Sequence, residues 1–442
     1  MSQIEQQAKL PKGIIKAIIA GSIGNVVEWI DWSIYGVAAP FIAQQFFPSN
    51  NPTISLLQAF GVFAVGFLIR PFGAMVLGPY GDRVGRNKAL ALSIILMAVG
   101  TGAIGILPSY ATIGVLAPIL ILLCRLVQGF AAGGEWGSAT SFIYELAPPN
   151  RRAFVSSFRP TGTGLGFFLG SFAVTLTTMA FSTETINAWA WRVPFFFGFL
   201  VGLIGLYIRM RVDESPEFLK AKANNETSEK PLSDSVKYDQ KGLLVVFALS
   251  LVWNVVYYIL FTWMPTYLKT VIGIPFDVAM KLASTATLFY TILLPFFGWL
   301  ADKYSKKMML TVSCLGYIFL TYPAFLLMRS GDHVTVWVIL LLLAGLMAIY
   351  SGALPVVLAE QFPTRTRNTA MSLAYTLNAT LFGGTAPLIS TWLASVTGNP
   401  IAPGFYMIVC TFLSYLAVFW GVAGGRQLPI GGAGTSVLLD AD

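Results

Sequence analysis

Two carboxylates three residues apart, Glu28 and Asp31, stand in an apolar stretch from Gly13 to Phe41 that is long enough to cross a bilayer. A charged side chain at the bilayer centre costs at least ~2.5–3.5 kcal/mol, so such residues are few and face a polar interior. The spacing puts both on neighbouring positions of one helical face, with Asn25, Trp32 and Tyr35. Arg125 is embedded about twelve residues into another apolar segment, near the midplane. Gln128 follows it, and Glu135 lies roughly 15 Å farther along the same helix. A guanidinium buried there must meet a carboxylate, from the protein or from a substrate. Burial opposes a carboxylate's charge and a nearby arginine supports it, so exchanging partners changes proton occupancy. An anion competing for Arg125 would therefore link its own binding to proton uptake without covalent chemistry. The bland alternative is a fixed ion-pair network that glues helices together. Arg70 and Arg159 are further embedded charges, and Arg70 is near enough to a span end to snorkel.

The elements that must position these residues are membrane spans. The 442 residues are 56% hydrophobic and only 11% charged, whereas soluble chains carry about 25% charged residues. Hydropathy predicts twelve spans of roughly 20–30 residues, near 13–41, 54–79, 89–108, 112–145, 153–180, 189–210, 242–268, 279–300, 308–328, 334–359, 368–394 and 404–424. The expected architecture is all-α and integral to the membrane. An N-terminal segment 1–12 precedes a six-helix bundle 13–210; a polar linker 211–241 leads to a second bundle 242–425 and a tail 426–442. No short apolar leader with a small-residue cleavage site precedes the first span. Lys9, Lys12, Lys16, Arg83, Arg86, Lys88, Arg151, Arg152, the linker, Lys303, Lys306, Lys307, Arg365, Arg367 and Arg426 all fall on one side. The positive-inside rule makes that side, with both termini, cytoplasmic. This placement accounts for the net charge of +8, so no nucleic-acid partner is expected. Cys124, Cys314 and Cys410 lie in apolar segments without metal spacing, and His333, the sole histidine, sits in a short polar loop. No metal, cofactor or enzymatic activity is expected.

The loop after the second span reads Gly78-Pro79-Tyr80-Gly81-Asp82-Arg83-Val84-Gly85-Arg86, and the loop after the eighth runs from Gly298 to Asp302 at the same glycine-to-aspartate spacing. After the fourth span Glu145 precedes Pro148 and Arg152; after the tenth, Glu360 precedes Pro363 and Arg367 at identical offsets. Two matched pairs at matched places indicate an internal duplication, which is a transporter architecture.

The Gly-x-x-x-Asp-Arg-x-Gly-Arg loop, with its weaker copy, resembles the signature loop of the major facilitator superfamily. Within it the chain resembles the metabolite:proton symporters, the group of α-ketoglutarate, citrate, shikimate and proline/betaine permeases. The residues concerned are Gly24-Asn25…Glu28-Trp29…Asp31…Tyr35, Arg125…Gln128-Gly129…Gly133-Gly134-Glu135, Trp191-Arg192-Val193-Pro194, Glu214-Ser215-Pro216-Glu217-Phe218 and Asn378…Gly383-Gly384…Pro387. The resemblance implies two pseudo-symmetric bundles around one central cavity. It also implies a cytoplasmic latch built from Gly78, Asp82, Arg83, Gly85, Arg86, Glu145, Arg152, Asp302, Glu360 and Arg367. Arg192 would capture anions at the outer mouth, or simply anchor at the interface among aromatics. Spans 7–12 carry almost no midplane charge, so Trp253, Asn254, Tyr257 and Asn378 would shape the cavity beside Glu28, Asp31, Tyr35, Arg125, Gln128 and Glu135.

The expected function is proton-coupled uptake of a small organic acid, a di- or tricarboxylate such as α-ketoglutarate or citrate, by a monomer in a bacterial inner membrane. A zwitterionic osmolyte (proline or betaine) or a shikimate-like monocarboxylate is the alternative. The tail has no heptad repeat for an osmosensing coiled coil. A drug:proton antiporter is less favoured, because Pro160 precedes the span-5 glycines Gly162, Gly164, Gly166 and Gly170.

Overall fold

A computed structural model describes residues 14–84, 86–133, 140, 143–144, 147–210, 239–362 and 367–422. Among them the chain is helical throughout, with short connections and no strand. This follows from the medium: in hydrocarbon every backbone polar group must be satisfied internally, and long apolar runs do so as helices.

The N-terminal part contains α1 (Ile14–Val37), α2 (Ala39–Phe46), α3 (Pro52–Leu68), α4 (Arg70–Val84), α5 (Arg86–Ile106), α6 (Leu116–Ala132), the short α7 (Arg152–Ser156), α8 (Phe158–Ala180) and α9 (Val193–Met210). The C-terminal part contains α10 (Gln240–Leu251), α11 (Phe276–Lys303), α12 (Lys306–Met328), α13 (His333–Glu360), α14 (Arg367–Asn378), α15 (Ala386–Thr397) and α16 (Ala402–Gly421). Helix α10 runs on through wider π turns at Val252–Val256, Tyr258–Trp263 and Leu268–Ile272, and Gly273 ends it in the left-handed conformation (φ +87°) that glycine tolerates. His333 is the first residue of α13 rather than a loop residue, because the Asp332 carboxylate caps that helix by accepting from the Thr335 amide.

Among the described residues, eight helical runs are long and apolar enough to cross a membrane, and α5 and α6 add shorter apolar stretches. Helix α1 fails a purely apolar criterion because it carries Lys16, Glu28 and Asp31. The run Gln240–Ile272 differs from the rest: 78% of its most apolar window is buried inside the protein, against 33–50% for the other seven. It is therefore a central helix, whereas the others turn a large share of their surface outward.

Glycines set the approach of the helices that carry charge. A Cβ at Gly129 of α6, or at Gly133 just past its end, would fall on the backbone carbonyl of Gly66 or Arg70 respectively, so this ridge brings Arg125 against α3 and α4. Gly166 and Gly170 of α8 likewise lie on the Val26 and Ile30 carbonyls of α1. The two parts meet along α8 and α11 from end to end, where Ser284 lies 2.8 Å from Thr175, Gly164 abuts Thr291, and Gly298 abuts Ser157.

Candidate functional site

Asp31 is the hub of a four-residue network assembled by three helices. Its Oδ2 meets Arg125 Nη1 at 3.3 Å, and its Oδ1 accepts from Gln128 Nε2 at 2.7 Å and from the Thr101 hydroxyl. Arg125 Nη1 also donates to Gln128 Oε1 at 2.9 Å. All four side chains are buried, Arg125 and Gln128 completely. Glu28 belongs to a different pair: its Oε1 accepts from Arg70 Nη2 at 3.1 Å. Arg125 is thus the counter-charge of Asp31 alone. Position 28 points one turn toward α4, where the Gly133 contact holds Arg70. Trp32 lies between the two pairs, with the Arg125 guanidinium carbon 4.0 Å and that of Arg70 4.5 Å from its ring centre. Tyr35 supports Arg125 at 4.5 Å and donates to the Ala59 carbonyl at 3.1 Å.

Arg125 is incompletely satisfied. Nη1 is engaged by Asp31 and Gln128, but Nε and Nη2 have no hydrogen-bond partner. Those two atoms form one edge of the guanidinium fork, the edge that binds a carboxylate in bidentate fashion. A buried polar group left unpaired costs about 1–3 kcal/mol, so the vacant edge calls for an explanation beyond packing.

Opposite this network, the central run after α10 contributes rings and amides. Tyr257 and Tyr258 are 0% and 1% exposed, and neither hydroxyl has a hydrogen-bond partner. Their rings pack against Trp29 of α1 and Phe167 of α8, so the cluster spans both parts of the chain. Trp253 stacks on Tyr257 at 6.4 Å. Asn254 donates to Asn378 Oδ1 at 2.7 Å, and Asn378 donates on to the Phe247 carbonyl at 2.8 Å, which ties α10 to α14. π turns begin two residues before Asn254 and directly after Asn378; such turns are frequent at functional sites.

The two parts also touch at both ends of the centre. At one end Asp302, on the last turn of α11, accepts from the Ala153 and Phe154 amides at 2.8 Å each, capping α7 from the other part of the chain. Lys306 pairs with Glu360 beside it. At the other end Phe41 packs edge-to-face on Phe276 at 5.1 Å, with the Lys269 ammonium over both rings. On a third seam Thr380 donates to the Phe67 carbonyl at 3.1 Å.

A family model described as Major Facilitator Superfamily matches residues 21–286 and 280–432. The chain belongs to the major facilitator superfamily. It is a multi-pass membrane transporter, and its relatives are bacterial. A proline/betaine transporter of Salmonella typhimurium is 34% identical over 410 residues, 91% of this chain and 82% of the relative. A glycine betaine/proline/ectoine/pipecolic acid transporter of Dickeya dadantii is 33% identical over the same shares. Among solved structures, the partially occluded inward-open xylose transporter of E. coli superposes with a TM-score of 0.75 at 16% identity, over 95% of this chain and all of that one. The E. coli fucose:proton symporter gives 0.63 at 15% identity, over 92% and 99%. These likenesses establish the major facilitator fold.

Within that fold the sequence-predicted residues divide. Asp31, Arg125, Gln128 and Tyr35 come together, with Glu28 one turn away, and Asn254, Tyr257, Trp253 and Asn378 line the facing helices. Arg192 does not join them: it donates to the Leu107 carbonyl at 3.1 Å and stacks on Trp191, the geometry of an anchor. Arg152 donates to the Tyr144 hydroxyl, while Arg367 donates to the Ala359 carbonyl and lies over the Tyr144 ring. Gly78, Asp82 and Arg83 fall on the last turns of α4, and Arg86 opens α5. Gly85, Glu135 and Glu145 lie outside the described residues, as do most of the linker and the tail.

Sequence reasoning missed Thr101 and Phe167. A threonine in a spanning helix ordinarily satisfies itself on its own backbone, and Thr101 does reach the Met97 carbonyl at 2.9 Å. Its single proton serves either that carbonyl or Asp31, a choice that local sequence does not reveal. Phe167 is one of 33 phenylalanines and carries no signal of its own.

Proposed function

We propose that this transporter takes up a small zwitterionic osmolyte of the proline/betaine class, coupled to protons, by alternating access across a bacterial inner membrane. The observation that carries the reading is the vacant Nε/Nη2 edge of Arg125, buried beside Asp31. One such edge suits one carboxylate. A di- or tricarboxylate, the main expectation from sequence, would bring several negative charges to a centre where Glu28 and Asp31 already offset Arg70 and Arg125. The names of the relatives favour the zwitterion as well.

In this scheme the substrate carboxylate docks on Arg125 and competes with Asp31 for it. A proton arriving at Asp31 releases the guanidinium, so proton and substrate each favour the other's binding. Thr101 and Gln128 hold Asp31 in place while its ion pair exchanges. The positive-inside bias puts the Asp302 end and both termini in the cytoplasm, and twelve spans in two six-helix bundles supply the rocking bodies. Closed contacts at both ends correspond to an occluded state. Parting Asp302 from α7 opens the inner mouth, and parting Phe41 from Phe276 opens the outer one.

Purified protein in proteoliposomes provides the test, with labelled proline, betaine, α-ketoglutarate and citrate supplied with and without an imposed inward proton gradient. Gradient-driven accumulation of proline or betaine, and of neither polycarboxylate, is expected. Accumulation of citrate or α-ketoglutarate alone would restore the organic-acid reading, and uptake indifferent to the gradient would remove the proton.

A further inference from the structure

Four rings meet at the centre of the molecule: Trp29 and Phe167 from the N-terminal part, Tyr257 and Tyr258 from the C-terminal part. Their six centroid separations run from 5.1 to 6.3 Å. All four are buried, and the Tyr257 and Tyr258 hydroxyls are unpartnered. If the cluster served only to pack the two parts together, phenylalanine at 257 and 258 would do it without stranding two hydroxyls. One wall is held rigidly. Trp29 Nε1 donates to Asn25 Oδ1 at 2.8 Å, and Asn25 is tied to Thr163 and to the Arg159 carbonyl of α8. Beyond Tyr258, Phe67 and Phe63 lead to the guanidinium groups: Phe67 lies 5.4 Å from Tyr258 and 4.3 Å from Arg70, and Phe63 lies 5.9 Å from Tyr258 and 5.6 Å from Arg125. One ring thus stands between the cluster and each guanidinium, Phe67 toward Arg70 and Phe63 toward Arg125, so ring faces and cationic forks share one part of the interior, as the two ends of a zwitterion require.

We propose that Trp29, Phe167, Tyr257 and Tyr258 form a cage for the methylated ammonium end of the substrate, so that N-methylation, and not merely a zwitterion, is what the site selects. The inference rests on the zwitterion reading above and assigns the recognition of the cationic end. The rings attract a cation through their negative faces, and a quaternary ammonium, which has no N–H to satisfy, loses little by entering. With separations near 6 Å, the midpoint of the cluster lies roughly 3.6 Å from each centroid, closer than the 4.0–5.7 Å at which this protein's own cationic groups sit over rings. A cation therefore enters only when the two parts move apart at this point. Because it takes two rings from each part, the bound cation rejoins them. A carboxylate, Glu28 above all, would select in the opposite sense, preferring an ammonium with N–H groups to donate.

The test uses the unmodified protein in proteoliposomes, with inhibition of labelled betaine uptake by glycine, sarcosine, dimethylglycine and betaine, and by 3,3-dimethylbutanoate. The last has the shape of betaine with carbon in place of the cationic nitrogen. Inhibition should strengthen along the methylation series, and betaine should outcompete this isostere, which keeps the carboxylate and lacks the cation, by about tenfold or more. Phe167→Leu should flatten the series, and Phe167→Tyr should keep it. A flat or inverted series in the unmodified protein, with proline and betaine still transported, overturns the cage and leaves the zwitterion reading standing. If neither proline nor betaine is transported or competes, both fall. Equal inhibition by betaine and 3,3-dimethylbutanoate would reduce the cluster to an apolar contact and also overturns the proposal.

Discussion

Asp302→Asn probes the inner gate most directly. The carboxylate accepts two amide hydrogen bonds at 2.8 Å from the first turn of α7, and these bonds join the two parts of the chain at one end. Asparagine keeps the shape but offers one oxygen and turns an N–H toward the second amide. Hydrogen bonds to a charged group contribute about 1.5–3 kcal/mol, and Asp302 is only partly buried, so the lower half of that range applies. A loss of about 1.5–2 kcal/mol shifts the closed-to-open ratio at the inner mouth by roughly 10–30-fold. The assay is alkylation of a cysteine placed at Ser157, which packs under Gly298 in the closed state, in a background lacking Cys124, Cys314 and Cys410. Labelling by a membrane-impermeant maleimide from the cytoplasmic side should accelerate by about that factor, with protein abundance unchanged. Substrate-free labelling at the unmodified rate would show that the Asp302 cap does not hold the gate, and the alternating-access assignment of this contact would go.

Asp31→Asn should abolish gradient-driven accumulation while sparing substrate exchange across the membrane; exchange lost in step with accumulation would make Asp31 a binding residue and not a coupling one. Removing one partner of a buried ion pair costs about 3–5 kcal/mol and removing both costs less. Glu28→Gln and Arg70→Gln should therefore each lower the melting temperature more than the double variant does, and simple additivity would deny the pair. At Gly129 the added methyl of alanine meets the Gly66 carbonyl and an Ile69 methyl. Overpacking of this kind costs about 1–3 kcal/mol, so Gly129→Ala should reduce thermal stability measurably, whereas Gly61→Ala, which faces open space, should not. Asn254→Ala leaves Asn378 Oδ1 without its donor and should slow transport more than it weakens substrate binding, a split read from separate kcat and KM values.

Much of this protein is legible without a fold. Carboxylates and guanidinium groups deep in apolar segments cannot face lipid, so Glu28, Asp31 and Arg125 announce a polar interior at any tertiary arrangement, whereas Arg70, near enough to a span end to snorkel, is turned inward only by its pairing with Glu28. The duplicated loop spacing announces two related halves for the same reason: it is local and survives in the sequence. Glycines at intervals of four on α6 forecast close helix packing, and Gly129 and Gly133 do lie on backbone carbonyls. Pairing is another matter. Which carboxylate meets which arginine depends on the azimuth of each helix, and one turn of α1 sends Glu28 to Arg70 and Asp31 to Arg125. Thr101, four helices on in sequence, became a partner of Asp31 only when α5 was placed beside α1. Nor could Phe167 be told from an ordinary packing residue, since an aromatic ring acquires a role from what it faces. The chemical inventory and its burial were properties of the chain, because desolvation penalises charge wherever a span lies; the unpaired edge of Arg125 and the meeting of four rings arose from tertiary structure, because direction and distance exist only once helices are packed.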